Sequence, residues 1–271
     1  MPLSKLILYT FFLLGLMQCH TSKVANSAPS FLSFDKTKIA FTDEGKGVPV
    51  ILIHGFISNG SSWNKTVLKE QLLAAGYRVI VPDLRGNGLS DRPQESEAYK
   101  DNAEIKDLIA LADHLRLKKY IAIGYSRGAI VLAKLLTQET RISKAVIGGM
   151  GFDFTNPDWD RRIAFADAFS GRAALTPMTE GAVNYARSIN ADIKVLGLLQ
   201  DYQPVTSPEE LRNIQVETLI ICGDEDQDNG SPEELQQYLP NSQLVIVQGD
   251  HNNTYKQADF SEAVLRFLMG S

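Results

Sequence analysis

The sequence predicts an α/β fold: a mostly parallel, twisted sheet of about eight strands with helices on both faces and an inserted helical lid. Three observations predict it. Short apolar runs at 50–53, 120–123 and 218–222 lack the alternation of a half-exposed strand, as expected of strands buried on both faces. These runs alternate with segments of helical length and pattern, an order that calls for parallel pairing with right-handed crossovers. After Gly151 the alternation stops, and it resumes only past Arg212, which marks an insertion at about 152–212.

Two short strands, 31–34 and 38–42, open the domain as a meander, and Gly45 and Gly47 mark the next turn. Strand 50–53 ends in His54 and Gly55, a helix over 62–75 stops at Gly76, and strand 77–81 follows. The pattern recurs as helix 99–115, strand 120–123, helix 127–137 and strand 145–147. Inside the insertion, 159–169 and 181–189 carry helical patterns. Strand 218–222, helix 232–238, strand 244–247 and helix 260–268 close the chain. Ser231, Pro232 and Glu234 give the first of these helices a hydroxyl cap, a proline at its first position and a glutamate reaching back. No internal repeat or low-complexity tract organises the chain.

The 271 residues, 44% hydrophobic and 22% charged, suffice for one large α/β domain with a sizeable core. A net charge of -5 and the lack of any basic cluster exclude a phosphate-binding surface, so no nucleic acid partner is expected. The first residues read differently. Lys5, an apolar run at 6–17 and then polar and small residues assign an export leader to 1–28 and the folded domain to 29–271. The run is too short to cross a bilayer as a stable helix. The expected location is therefore outside the cytoplasm: periplasmic, secreted or lipid-anchored. Cys19, preceded by Leu16, Met17 and Gln18, resembles the acylated cysteine of bacterial lipoproteins and is a candidate membrane tether, although Gln18 stands where a small residue is usual. Cys222, in an apolar strand, is expected to be a buried free thiol, with no disulfide.

Gly124, Tyr125, Ser126, Arg127 and Gly128 form a GxSxG motif between a strand and a helix, where a sharp turn exposes the serine oxygen above the sheet. A serine hydroxyl needs a base, normally histidine, to act as a nucleophile at neutral pH. Of four histidines, His20 is in the leader, His114 is on a helix and His54 ends the strand that supplies the oxyanion loop, so His251 remains. Asp226, in the turn after strand 218–222, is the candidate acid that orients it, in the chain order Ser, Asp, His. Asp224, Glu225, Asp228 and Asp153 compete for that role. The backbone amides of Phe56 and Arg127 are candidate oxyanion donors, and His54 is expected to shape their loop. Asp224, Asp226 and Asp228 alternate like a calcium loop, but Asn229 and Leu235 occupy the positions that need glycine and glutamate. No metal or cofactor is expected.

These motifs resemble, in order, those of the α/β-hydrolase-fold superfamily of esterases, lipases and aminopeptidase-like enzymes. The resemblance covers nearly everything after the leader. It rests on His54, Gly55 and Phe56; on the DxRGxGxS-like loop from Asp83 to Ser90, with Asn87 where histidine is frequent; on GxSxG; and on Asp226 and His251 in their turns. It implies cleavage of a carboxylic ester or related acyl bond in a small-molecule, ester-like substrate, through an acyl-enzyme. Cofactor-free haloperoxidase or perhydrolase chemistry on the same residues is the alternative, as is a non-catalytic binding module. A serine nucleophile argues against the haloalkane dehalogenases and epoxide hydrolases of this fold, which attack with aspartate. Trp159, Phe165, Phe169 and Met178 in the insertion either favour a nonpolar acyl group or pack the lid onto the domain. Arg127 either meets an acidic substrate or pairs with a neighbouring carboxylate.

Overall fold

A computed structural model describes residues 28–270. Residues 1–27, which hold nearly all of the expected leader and the candidate tether Cys19, lie outside the described residues. Eight strands form one sheet: β1 (Ser30–Leu32), β2 (Lys38–Glu44), β3 (Pro49–Ile53), β4 (Arg78–Pro82), β5 (Tyr120–Tyr125), β6 (Ile142–Gly148), β7 (Glu217–Gly223) and β8 (Ser242–Val247). Their order across the sheet is β1-β2-β4-β3-β5-β6-β7-β8. β1 and β2 pair antiparallel as the opening meander, β2 pairs antiparallel with β4, and the remaining pairs are parallel.

Strand pleating divides the core. Val50 and Leu52 of β3, with Val79, Ile123 and Val146, pack under α1 (Val67–Ala74) and α9 (Ala258–Met269). Ile51 and Ile53, with Ile80, Ala122 and Ile147, pack under α2 (Ala103–His114), α3 (Arg127–Leu136) and α8 (Pro232–Tyr238). The central strands β3, β4, β5 and β7 thus bury both faces, which is why their sequences lack alternation, whereas the edge strands β1 and β8 keep exposed residues. Full burial of one such side chain contributes about 1.5–3 kcal/mol. No helix among the described residues is long and apolar enough to cross a membrane.

The insertion carries α4 (Asp160–Ser170), α5 (Pro177–Ser188), α6 (Ile193–Asp201) and α7 (Pro208–Arg212). Phe169, Val183, Leu196 and Leu199 give the first three a small core of their own. The last two helices are additional to the sequence reading. Residues 207–211 repeat the Ser-Pro-Glu-Glu-Leu of 231–235, and both copies start a helix. The reach-back by glutamate occurs in the first copy, where Glu210 accepts the Ser207 N–H at 2.8 Å. In the second, Ser231 accepts the Glu234 N–H at 3.0 Å, but its hydroxyl donates to Glu233. The expected helix over 62–75 is also divided: a 3₁₀ turn, Gly60–Lys65, precedes α1. Thr66 makes the break, because its extended backbone and hydroxyl cap the new helix. Asn102, with φ 56°, likewise separates the 3₁₀ turn Ser96–Tyr99 from α2 within the expected 99–115 helix.

Candidate active site

β5 ends at Tyr125, α3 begins at Arg127, and Ser126 makes the turn between them with φ 55° and ψ -130°. Such a backbone costs a non-glycine residue about 1–3 kcal/mol, and the surrounding packing must hold it. The Ser126 N–H donates to the Gly148 carbonyl of β6 at 2.8 Å, and its own carbonyl receives the Ala129 N–H at 2.8 Å. The motif glycines are needed for approach. A Cβ at Gly124 would lie 2.3 Å from the Gly128 carbonyl oxygen, and one at Gly128 would lie 2.3 Å from that of Ile53.

The structure brings together the three side chains that the sequence singled out. Ser126 Oγ and His251 Nε2 are 2.8 Å apart, and His251 Nδ1 donates to Asp226 Oδ2 at 2.7 Å. The Asp226 side chain is 2% exposed and that of His251 24%, so the carboxylate is sealed in while the imidazole stays reachable. The competing carboxylates are engaged elsewhere or turned outward. Asp224 accepts the Gly249 N–H at 2.9 Å and draws the β7 and β8 loops together, Glu225 and Asp228 are exposed, and Asp153 packs beside Gly230.

Two contributors escaped the sequence reading. The Asn229 amide donates to Asp226 Oδ1 at 3.1 Å, leaving Oδ2 to His251. Its nitrogen also lies 3.1 Å from His251 Nδ1. Tyr125 donates its phenolic hydrogen to the His251 carbonyl at 2.9 Å and stacks on Tyr255 at 4.6 Å, fixing the loop beneath the imidazole. Tyr125 sits inside the motif as its variable residue, which gave it a signal of position but none of role.

The loop after β3 lies against the serine: a Cβ on Gly55 would stand 3.6 Å from Ser126 Oγ. Phe56 follows, its ring packed edge-on against Phe165 and Phe169 of α4 at 6.3 and 5.2 Å. Ile57 has φ 49°, a left-handed backbone rare for a β-branched residue. Arg127 opens α3, so its N–H has no acceptor within the helix and is free to face a ligand. His54 shapes this loop. It donates from Nδ1 to the Gly55 carbonyl at 2.9 Å and accepts the Leu84 N–H on Nε2 at 3.1 Å, while burial pulls its pKa below the ordinary histidine value. Asp83 braces the neighbouring loop by accepting the Gly60 and Leu89 N–H groups, each at 2.7 Å. Arg127 pairs with a carboxylate: its guanidinium meets buried Glu104 of α2 at 2.6 and 2.9 Å and donates to the Leu199 carbonyl of α6 at 2.9 Å.

Above Ser126 lies a cavity of about 640 Å³. Trp159, Phe165 and Met178 line it, whereas Phe169 is buried in the lid core. Of the remaining sequence candidates, exposed His114 stacks on Phe31 at 5.2 Å, and buried Cys222 donates its thiol hydrogen to Met150 O at 3.5 Å. Burial pushes that thiol's pKa up to about 12.

The sequence profile of the alpha/beta hydrolase family matches residues 50–263, and the chain belongs to that family. A Synechocystis sp. protein provisionally named a non-heme chloroperoxidase is 32% identical over 265 residues, spanning 85% of this chain and 94% of its own. Among solved structures, an esterase from Exiguobacterium antarcticum superposes with a TM-score of 0.73 at 23% identity, covering 90% of this chain and all of its own. A bromoperoxidase from Bacillus anthracis superposes with a TM-score of 0.69 at 26% identity, over 89% of this chain and all of its own.

Proposed function

We propose that this enzyme cleaves a carboxylic ester or related acyl bond with Ser126 as nucleophile, His251 as base and Asp226 as the acid that orients the imidazole. The observation that carries this reading is the unbroken line from Ser126 Oγ through His251 to Asp226, at 2.8 and 2.7 Å, at the floor of an open cavity. In the reaction, His251 Nε2 takes the hydroxyl proton as Oγ bonds to the acyl carbon. The tetrahedral oxyanion receives hydrogen bonds from the Phe56 and Arg127 backbone amides, groups worth about 3–4 kcal/mol each in related chemistry. Collapse expels the alkoxide, which takes the proton from His251, and water repeats the sequence to release the acid. Asp226 stays ionised throughout and stabilises the imidazolium.

The test is the intact mass of protein 29–271 after incubation with a fluorophosphonate, beside Ser126→Ala. One adduct on the parent and none on the variant is the expected result. A folded parent that takes no adduct overturns the reading and leaves a binding module.

A second reading is favoured by the named chloroperoxidase and bromoperoxidase relatives. In it, hydrogen peroxide replaces water on the acyl-enzyme and releases a peracid. The peracid then oxidises halide to hypohalite and returns to the carboxylic acid. Bromination of a trap compound that requires acetate, peroxide and an intact Ser126 is the outcome that distinguishes it from simple ester hydrolysis.

A further inference from the structure

The charge of the Ser126 cavity runs against the charge of the protein. The chain carries a net -5, yet Arg127, Arg161, Arg162 and Lys256 line the cavity, and no aspartate or glutamate is among the described residues lining it. Arg127 is neutralised by Glu104. The other three lack a close carboxylate among the described residues. Arg161 approaches only Asp228, at 3.9 Å, and that carboxylate is 75% exposed. Arg162 donates to the carbonyls of Gln200 and Pro157, and its Nε is buried without a partner. Lys256 stands 5.3 Å from the Tyr255 ring.

Helix electrostatics do not explain this placement. Arg161 and Arg162 occupy the first turn of α4, the positive end of the helix dipole, where cations are disfavoured. The Arg161 guanidinium lies 5.2 Å above the ring of Phe165, which in turn touches Phe56. Arg161 and Arg162, both half-buried, therefore share an aromatic, partly water-excluded wall with the loop after β3, where attraction for a counter-charge exceeds its value in bulk water, whereas Lys256 is exposed. A guanidinium matches a carboxylate in shape and binds it through two parallel hydrogen bonds.

We infer that the substrate carries a free carboxylate apart from its scissile acyl group, as in a half-ester of a dicarboxylic acid. The acyl carbon sits at Ser126, the carboxylate is received by Arg161 and Arg162, and the aromatic wall covers the methylenes between them. The hydrolytic step rests on the function proposed above. Recognition of the carboxylate does not, so binding and turnover are measured separately.

Binding is read by calorimetry on Ser126→Ala, with glutarate and its neutral analogue glutaramide as probes. Glutarate is expected to bind at least tenfold more tightly than glutaramide, and less tightly as salt rises. Adding Arg161→Gln should weaken glutarate about tenfold, the loss expected for one charge-assisted hydrogen bond, and adding Arg162→Gln should weaken it further. Arg161→Lys should retain part of the affinity. Turnover is read as the ratio of kcat/KM for mono-p-nitrophenyl glutarate to that for p-nitrophenyl valerate, which should collapse in Arg161→Gln. Equal binding of glutarate and glutaramide, or glutarate affinity unaltered in Arg161→Gln, overturns the inference. Arg161 makes no close bond, so this variant keeps the test decisive even where Arg162→Gln fails to fold. Arginine-dependent glutarate binding without any ester turnover instead overturns the hydrolase reading and leaves the carboxylate site standing.

Discussion

At the scale of single residues, the proposed chemistry depends on how the plane of the Asp226 carboxylate is held against the imidazole. Oδ2 accepts from His251 while Oδ1 is held by the Asn229 amide, so the carboxylate has one rotamer in which both oxygens are satisfied. Asp226→Asn presents an amide where only an acceptor serves and stabilises the wrong tautomer. A loss in kcat on the order of 10⁴-fold is expected for such a change. Asn229→Leu keeps the acid but frees it to rotate. The expected outcome is a fall in kcat of about tenfold with KM little changed, because one hydrogen bond of about 1–1.5 kcal/mol is lost from the positioning of the base. Steady-state kinetics on a p-nitrophenyl ester separate the two. An Asn229→Leu variant that raises KM alone would instead make Asn229 a substrate contact. Cys222 gives a check of a different kind. Its thiol is buried and its pKa is pushed up to about 12, so iodoacetamide at pH 8 should label it only in denaturant, and labelling of Cys222 in native protein 29–271 would contradict the packing of β7.

At the scale of elements, the motif glycine Gly128 and the lid glycine Gly181 make opposite predictions. Gly128→Ala drives a methyl to 2.3 Å from a backbone oxygen of β3, which no rotamer can relieve, so α3 must lift from the sheet. A loss of about 3 kcal/mol in chemical denaturation, with loss of turnover, is expected. Gly181 lies within α5 with nothing within 4 Å of its Cβ position, so Gly181→Ala should gain about 0.5–1 kcal/mol through helix propensity. Stabilisation by the first or destabilisation by the second would show these helices to be misplaced. The same elements explain what could be read in advance. Ser126, Asp226 and His251 each fall just beyond a strand of the parallel sheet, where strand ends converge, so their one-dimensional order carried their proximity. Asn229 and the bracing by Tyr125 depend on two loops meeting across the sheet end, which no local pattern encodes. The capping signal of α8 was legible at 231–235, and its duplicate at 207–211 predicts α7 by the same physics. Thr66 and Asn102 interrupt apolar patterns that continue across them, so periodicity joined what their backbone geometry separates.

At the scale of the whole molecule, neutral His54 links the loops that follow two neighbouring strands, β3 and β4. Its Nδ1–H reaches the Gly55 carbonyl, and its Nε2 takes the Leu84 N–H, an acceptor role that protonation abolishes. Burial is the main cause of its lowered pKa. The Gly55 hydrogen bond and the charges of Asp83 and Glu104 pull the other way, and Arg127 adds to the lowering. The unfolded chain protonates this histidine at its ordinary value of about 6.5, whereas the folded protein does so only at lower pH. Between those two values the unfolded state holds more protons, so stability is greatest above pH about 6.5 and falls as pH drops through it, by up to about 1.4 kcal/mol per pH unit for one proton. Asp35 adds a separate window. Its burial raises its pKa, but hydrogen bonds from Arg85 and Thr37 outweigh this and lower it overall, so its stabilisation is lost only below the usual carboxylate range. Burial also raises the Asp107 pKa toward this range, so calorimetric stability followed from pH 8 to 5 reads the histidine by difference from its variant. The parent should lose stability across this range, and His54→Gln should show a slope shallower by close to one proton near pH 6. Equal slopes would mean that His54 is protonated as readily in the fold as outside it, and the two hydrogen bonds drawn from its neutral ring would then be the wrong pair.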